Sequence, residues 1–164
     1  MISIRPYPPS IHGDEVSYLI ATWFQSGRIR PASGTWGSLA ALPFCWGVKM
    51  LGGFWLSLAF VVALIIIGTW SIKKYASHTK HLDPAEVVVD EVAGMAIVWL
   101  FTPVNSLSLI IAGFLLFRIF DAIKRGPVGW CDKNIKGAPG VMIDDLVAGL
   151  FAGLCVMGLH SLLF

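Results

Sequence analysis

Charge is what this chain has least of. Only 13% of its 164 residues are Asp, Glu, Lys or Arg, while 56% are hydrophobic; an average globular domain is roughly a quarter charged and about half apolar. So few charges could not cover the apolar surface of a soluble domain of this size. Cysteine is equally sparse. Cys45, Cys131 and Cys155 form no CxxC pair, which excludes a disulfide framework and a cysteine zinc site. A formal net charge of +2, with basic residues not interleaved with stacking aromatics, excludes nucleic acid as a partner. The stretch Met1–Glu15 has no apolar h-region and is not expected to be a cleavable signal peptide. No Walker A sequence is present, and no serine, cysteine or aspartate nucleophile motif. One domain spanning 1–164 is expected, with residues 1–16 as its N-terminal tail.

What is present is apolar sequence in blocks: Tyr18–Phe24, Leu39–Leu51, Phe54–Trp70, Val92–Val104, Leu107–Phe120 and Leu146–Phe164. The third and sixth approach the ~20 residues a helix needs to cross hydrocarbon, whereas the others have the length of buried or re-entrant helices. Tryptophans mostly flank these runs, as rings anchored at a membrane interface do. The pattern predicts an all-α, membrane-embedded bundle of about six helices, several of which dip into the bilayer without crossing it. The alternative, a soluble bundle with one very apolar helix, fits poorly with the uninterrupted Phe54–Gly68 run.

Punctuation between the blocks sets an orientation. Gly52-Gly53 and the segment Thr102–Ser106, with Pro103 and Asn105, predict tight turns between antiparallel helices. Asp83-Pro84-Ala85-Glu86 predicts an N-cap and a helix from Pro84 to about Phe101. Asn105 or Ser106 can cap the next helix, which continues to about Lys124. If the two turns lie on the far side, every basic residue except Lys49 falls on the opposite, cytoplasmic side, which satisfies the positive-inside rule. All ten Asp and Glu fall there too, which that rule does not require.

Five of those acids abut apolar helix sequence, in three clusters: Asp90-Glu91, Asp121, and Asp144-Asp145. Such placement costs on the order of 2.5–3.5 kcal/mol per charge at a helix centre. Arg118, Asp121 and Lys124 share one helical face. Gly94 and Gly149 each stand one turn beyond an acidic doublet, where another helix or a ligand could approach, and Gly149 with Gly153 forms a GxxxG packing motif. Clustered carboxylates repel unless a cation sits among them, and oxygen ligands select magnesium, calcium or manganese over zinc. The alternative pairs Asp121 with Arg118 or Lys124 and treats the two doublets as solvated helix N-termini. The loop from Ser26 to Ser38, with Arg28, Arg30, Ser33, Gly34 and Thr35 ahead of an apolar helix, could cradle a phosphate. His78 and His81, three apart in a polar loop, carry no assignment.

Four motifs then form a recognisable series. Ser33-Gly34-Thr35-Trp36-Gly37-Ser38-Leu39, Asp90-Glu91-x-x-Gly94, Phe117-Arg118-x-Phe120-Asp121-x-x-Lys124 and Met142-Ile143-Asp144-Asp145-x-x-Ala148-Gly149 resemble the bacterial phosphatidylglycerophosphatase A family in order and spacing. The likeness runs from about residue 20 to residue 155. It departs at Ser33-Gly34-Thr35, where the family usually has Pro-Gly-Thr, and at Lys124-Arg125-Gly126-Pro127, where it often has Lys-Pro-x-Pro. The resemblance implies a magnesium-dependent lipid phosphatase of phospholipid biosynthesis, converting phosphatidylglycerophosphate to phosphatidylglycerol and inorganic phosphate. It also implies helices ringed around a central one, in the bacterial inner membrane.

On this reading Asp90, Glu91, Asp121, Asp144 and Asp145 are the catalytic residues and metal ligands for Mg2+. Gly34, Thr35, Ser38, Arg118 and Lys124 bind phosphate, and the multi-pass protein works on its cytoplasmic side. Two rivals are weaker. A CDP-alcohol phosphotransferase would carry a longer aspartate string, and an ion-coupled transporter would spread its acids across the membrane depth.

Overall fold

The computed structural model describes residues 2–6, 14–79, 84–123 and 126–163. The elements run β1 (Ser3–Ile4), α1 (Glu15–Ala21), a single 3-10 turn, β2 (Ile29–Arg30), α2 (Ser33–Thr79), α3 (Val89–Phe101), α4 (Leu107–Ile123), α5 (Gly126–Asn134) and α6 (Ala138–Leu163). At the centre stands α3, because it is apolar all round and a helix of that kind must be enclosed. Val89, Val92, Ala93, Met95, Ala96, Val98 and Trp99 are all buried along it, and it packs chiefly against α6 and α2. At the α3–α6 crossing a Cβ on Gly149 would run into the Gly94 backbone, and one on Gly94 would lie 2.6 Å from the Asp145 carbonyl. Both glycines therefore admit a helix, not a ligand, and Gly153 packs on the Phe101 ring in the same way.

The long helix α2 is a hairpin. Gly52 and Gly53 leave helical geometry, and Gly53 takes φ +60°, ψ −145°, a conformation only glycine adopts without strain. The chain reverses there, so that Ser57 and Phe60 face Cys45 and Val48. At roughly 1.5 Å per residue the first arm, residues 33–51, is about 28 Å long, close to the thickness of a bilayer's hydrocarbon core. The second predicted turn is also present: Ser106 Oγ accepts from Leu109 N–H at 3.4 Å, and the Ser106 carbonyl accepts from Ile110 N–H at 3.0 Å. Lys49, alone at this far end, donates to the carbonyls of Trp99 (2.6 Å), Leu100 (3.3 Å) and Thr102 (2.7 Å). It thereby joins Thr102, whose N–H and hydroxyl reach the Trp99 and Val98 carbonyls, in satisfying the C-terminus of α3.

Two boundaries differ from the sequence reading. The helix expected from Pro84 begins at Val89, and Asp83, its expected cap, lies outside the described residues. Glu86 does not fold back as a capping partner: it accepts from the Tyr75 hydroxyl (2.6 Å) and lies 3.4 Å from Arg5 Nη1. Val88 N–H donates to the Ala21 carbonyl at 2.9 Å, and Val87 and Val88 descend buried into the bundle. The last helix begins at Ala138, well before Leu146, and α5 was not anticipated, because its sequence carries no apolar block. The expected tail is also partly structured, Ser3 pairing with Arg30 and Ile4 with Ile29.

The exterior is apolar. Leu51, Trp55, Ile66, Ile111, Leu115 and Leu154 are exposed, and α2 and α6 are long and apolar enough to cross a membrane. With two such helices and an apolar exterior, the bundle is a membrane protein.

Candidate active site

The valine segment that delays α3 also sets the depth of its acids. Asp90 and Glu91 occupy the first turn of a helix that starts inside the bundle, where the positive end of the helix dipole favours carboxylates. Asp144 and Asp145 lie about 9–11 Å along α6 from its start, at 1.5 Å per residue. Asp121 comes from the last turn of α4. Asp90, Asp144 and Asp145 are only 6%, 5% and 4% exposed. They are therefore not solvated helix N-termini.

All five carboxylates line one open cavity of about 370 Å³. Oxygen atoms of Asp90, Glu91 and Asp145 lie within 4.8 Å of one another. Asp121 reaches Asp145 and stands near Glu91. Against these acids stands one guanidinium, with Arg118 Nη1 2.8 Å from Asp121 Oδ2. That pair was one of the two anticipated for Asp121. Gly34 closes the group from α2: a Cβ there would strike Glu91 Oε1 and approach Arg118 Nη1 at 3.1 Å.

An oxygen-only donor set of three converging carboxylates is the chemistry of a hard divalent cation. Glu91 Oε2 supports the fit, since it is buried with no hydrogen-bond partner among the described residues. A buried carboxylate oxygen is rarely left so unless an ion or water completes it.

The phosphate-binding expectations divide. Gly34 touches the carboxylate group. Arg118 stands behind it, held by Asp121, and does not line the cavity. Ser38 is fully buried and donates its hydroxyl to the Gly34 carbonyl at 2.8 Å, and Thr35 is not on the cavity wall. Lys124 lies outside the described residues, as does His81. Arg28 is turned away, donating to the Arg5 carbonyl at 2.9 and 2.6 Å. His78 sits 2.9 Å from Asp14 in the last turn of α2 and is not on the cavity wall. Two polar side chains of the cavity wall lay outside the site residues assigned from the sequence. Ser33, whose hydroxyl donates to the Ala85 carbonyl, comes from the start of α2, in the loop expected to cradle phosphate, and Lys136 from the turn before α6. Lys136 lies only eight positions before Asp144, but no motif marks a lone lysine in a loop.

Comparison with known proteins places the chain in a family. The chain matches the family described as Phosphatidylglycerophosphatase A over residues 19–160. It is 39% identical over 136 residues to the Phosphatidylglycerophosphatase A of Escherichia coli (strain K12), covering 82% of this chain and 78% of that one. Against the Haemophilus influenzae protein of the same name it is 35% identical over 145 residues, covering 87% and 88%. A Bacteroides thetaiotaomicron protein, provisionally named a phosphatidylinositol-3-phosphatase, is 39% identical over 145 residues, covering 84% and 89%. No solved structure matches the chain. With its motifs carried on four helices of a membrane bundle, and a match that spans most of its length, the chain belongs to the phosphatidylglycerophosphatase A family and is a phosphatase of phosphoric monoesters.

Proposed function

We propose that this protein hydrolyses phosphatidylglycerophosphate to phosphatidylglycerol and inorganic phosphate, at the cytoplasmic face of the bacterial inner membrane. The observation that carries the reading is the meeting of Asp90, Glu91, Asp121, Asp144 and Asp145 in one open cavity at the charged end of an otherwise apolar bundle. Names of two relatives supply the headgroup. Orientation follows from the positive-inside rule, with the two arms of α2 and the helix α6 as passes.

Asp90, Glu91 and Asp145 would hold Mg2+, with Asp121 and Asp144 beside them. When bound, the ion supplies charge neutralisation for the phosphate and for the attacking and leaving oxygens. The chain's own residues do the rest. Arg118 fixes Asp121 and offsets part of the negative charge around it. Gly34 keeps the α2 start close to Glu91 without displacing it. Asp144 lines the cavity outside the converging trio, and we assign it the proton of the attacking water. Water oxygen bonds to phosphorus, the ester P–O bond breaks, and the departing alkoxide recovers a proton. The recessed position of the carboxylates suits a phosphate that hangs from a lipid at the membrane surface.

The test is phosphate release from phosphatidylglycerophosphate, phosphatidylinositol 3-phosphate and a soluble phosphomonoester, each with magnesium and with EDTA. Fastest release from the first, lost in EDTA, is expected. Equal rates with and without EDTA would remove the metal, and faster release from the inositol lipid would reassign the headgroup. Asp121→Asn should lower kcat by roughly a hundredfold or more, in line with losing one positioned electrostatic group. Near-normal turnover in that variant would reduce Asp121 to a structural ion pair.

A further inference from the structure

A membrane phosphatase must also hold the part of the lipid it does not cleave. Directly beside the carboxylate cavity lies a second one of about 480 Å³, between α2 and the start of α6, lined by Thr69, Lys73, Ala76, Gly137, Ala138 and Pro139. Its character is different: apart from Lys73 and the Thr69 hydroxyl, its walls are small apolar groups. The two cavities share Gly137. A Cβ there would find no atom closer than the Pro139 ring, at 3.8 Å, so the junction is open. Two exposed lysines flank it, Lys136 on the carboxylate side and Lys73 on the apolar side. Trp70, exposed next to Thr69, has Lys74 Nζ 5.7 Å from its ring centroid. An amphipathic ring beside lysines marks headgroup depth in a bilayer.

We infer that this second cavity is the seat of the diacylglycerol portion of a membrane phospholipid. The lipid's internal phosphodiester lies at Gly137 between Lys136 and Lys73, and its terminal phosphate enters the carboxylate cavity. The inference rests on the phosphatase reading above and adds the order in which the lipid is laid out. That order matches the ligand's chemistry. A terminal phosphomonoester needs a cation, a phosphodiester a short glycerol link away needs basic side chains, and acyl chains need an apolar wall. The structure presents a carboxylate cavity and an apolar one that meet at Gly137, with a lysine on the wall of each.

Two variants and one label test it. Lys73→Glu reverses the charge at the junction, and Ala76→Trp fills the groove from the rim of α2. Each should raise KM for phosphatidylglycerophosphate by roughly tenfold or more while changing kcat far less, as loss of substrate binding away from the reacting atoms does. The ratio of kcat/KM for the lipid to that for glycerol 3-phosphate, which has neither diester nor acyl chain, should fall about as much. A ratio within about twofold of the unaltered protein in both variants, with folding verified by thermal melting, overturns the inference but leaves the phosphatase reading standing. Independently of turnover, a phospholipid with a photoreactive acyl chain should label peptides containing residues 69–76 and 138–139. Labelling spread evenly over the apolar exterior overturns it. Groove labelling in a protein that releases phosphate from no ester would sink the phosphatase reading alone.

Discussion

Magnesium should stabilise this protein against unfolding, and the carboxylate geometry sets the scale. Oxygens of Asp90, Glu91 and Asp145 lie within 4.8 Å of one another. At that separation two unit charges repel by about 3.5 kcal/mol with an effective dielectric near 20. Three such pairs, if all are ionised, amount to on the order of 10 kcal/mol, comparable with the whole stability of a typical domain, about 5–15 kcal/mol. A cation held among them relieves that strain in the folded state only. At a concentration about a hundred times its Kd it adds roughly 2.7 kcal/mol. For a chain of this size each kcal/mol moves Tm by about 2–4 °C, so a rise of about 5–11 °C is expected. The assay is thermal unfolding of the detergent-solubilised protein, followed by tryptophan fluorescence in EDTA and over a magnesium titration. Asp145→Asn removes one charge and one ligand together. It should melt higher than the unaltered protein in EDTA, and should lose most of the magnesium response. This crossing of the two curves separates a metal site from general salt effects. No magnesium shift in the unaltered protein, or the same shift in Asp145→Asn, would refute the reasoning.

Two further substitutions probe the supports of the site. Gly34→Ala places a methyl against Glu91 Oε1 and should lower kcat by about a hundredfold, the usual effect of displacing a catalytic group by about an ångström. An unaltered kcat would show that Glu91 is not needed where it stands. Lys49→Met removes the donor to three carbonyls at the end of α3. Losing hydrogen bonds from a charged group should cost about 1.5–3 kcal/mol, read as a Tm lower by several degrees with kcat/KM unaffected. A Tm equal to that of the unaltered protein would show that the α3 carbonyls do not need the lysine.

Much of the site was legible from local sequence because its parts obey local rules. Asp90-Glu91 and Asp144-Asp145 stand out against valine, isoleucine and leucine, and the membrane environment makes any such acid conspicuous. Gly52-Gly53 and Thr102–Ser106 announce turns through backbone chemistry that needs no tertiary partner. The helix start at Val89 was not legible in the same way. Asp83-Pro84-Ala85-Glu86 has the form of a capping box, but Glu86 found Tyr75 and Arg5 across the fold, and Val88 was drawn to Ala21. Ser38 looked available for phosphate until its hydroxyl was seen bonded to the Gly34 carbonyl inside the buried face of α2.

The sequence by itself therefore determined that the chain is helical, lives in a membrane and keeps its acids at one end, because composition and periodicity express solvent preference residue by residue. Only the tertiary structure decided that three carboxylates from two helices converge within one ion's reach, and that a polar cavity meets an apolar one at Gly137. The convergence depends on how closely α3 and α6 approach at Gly94 and Gly149. That distance is set by packing between residues far apart in the chain, and no local pattern encodes it.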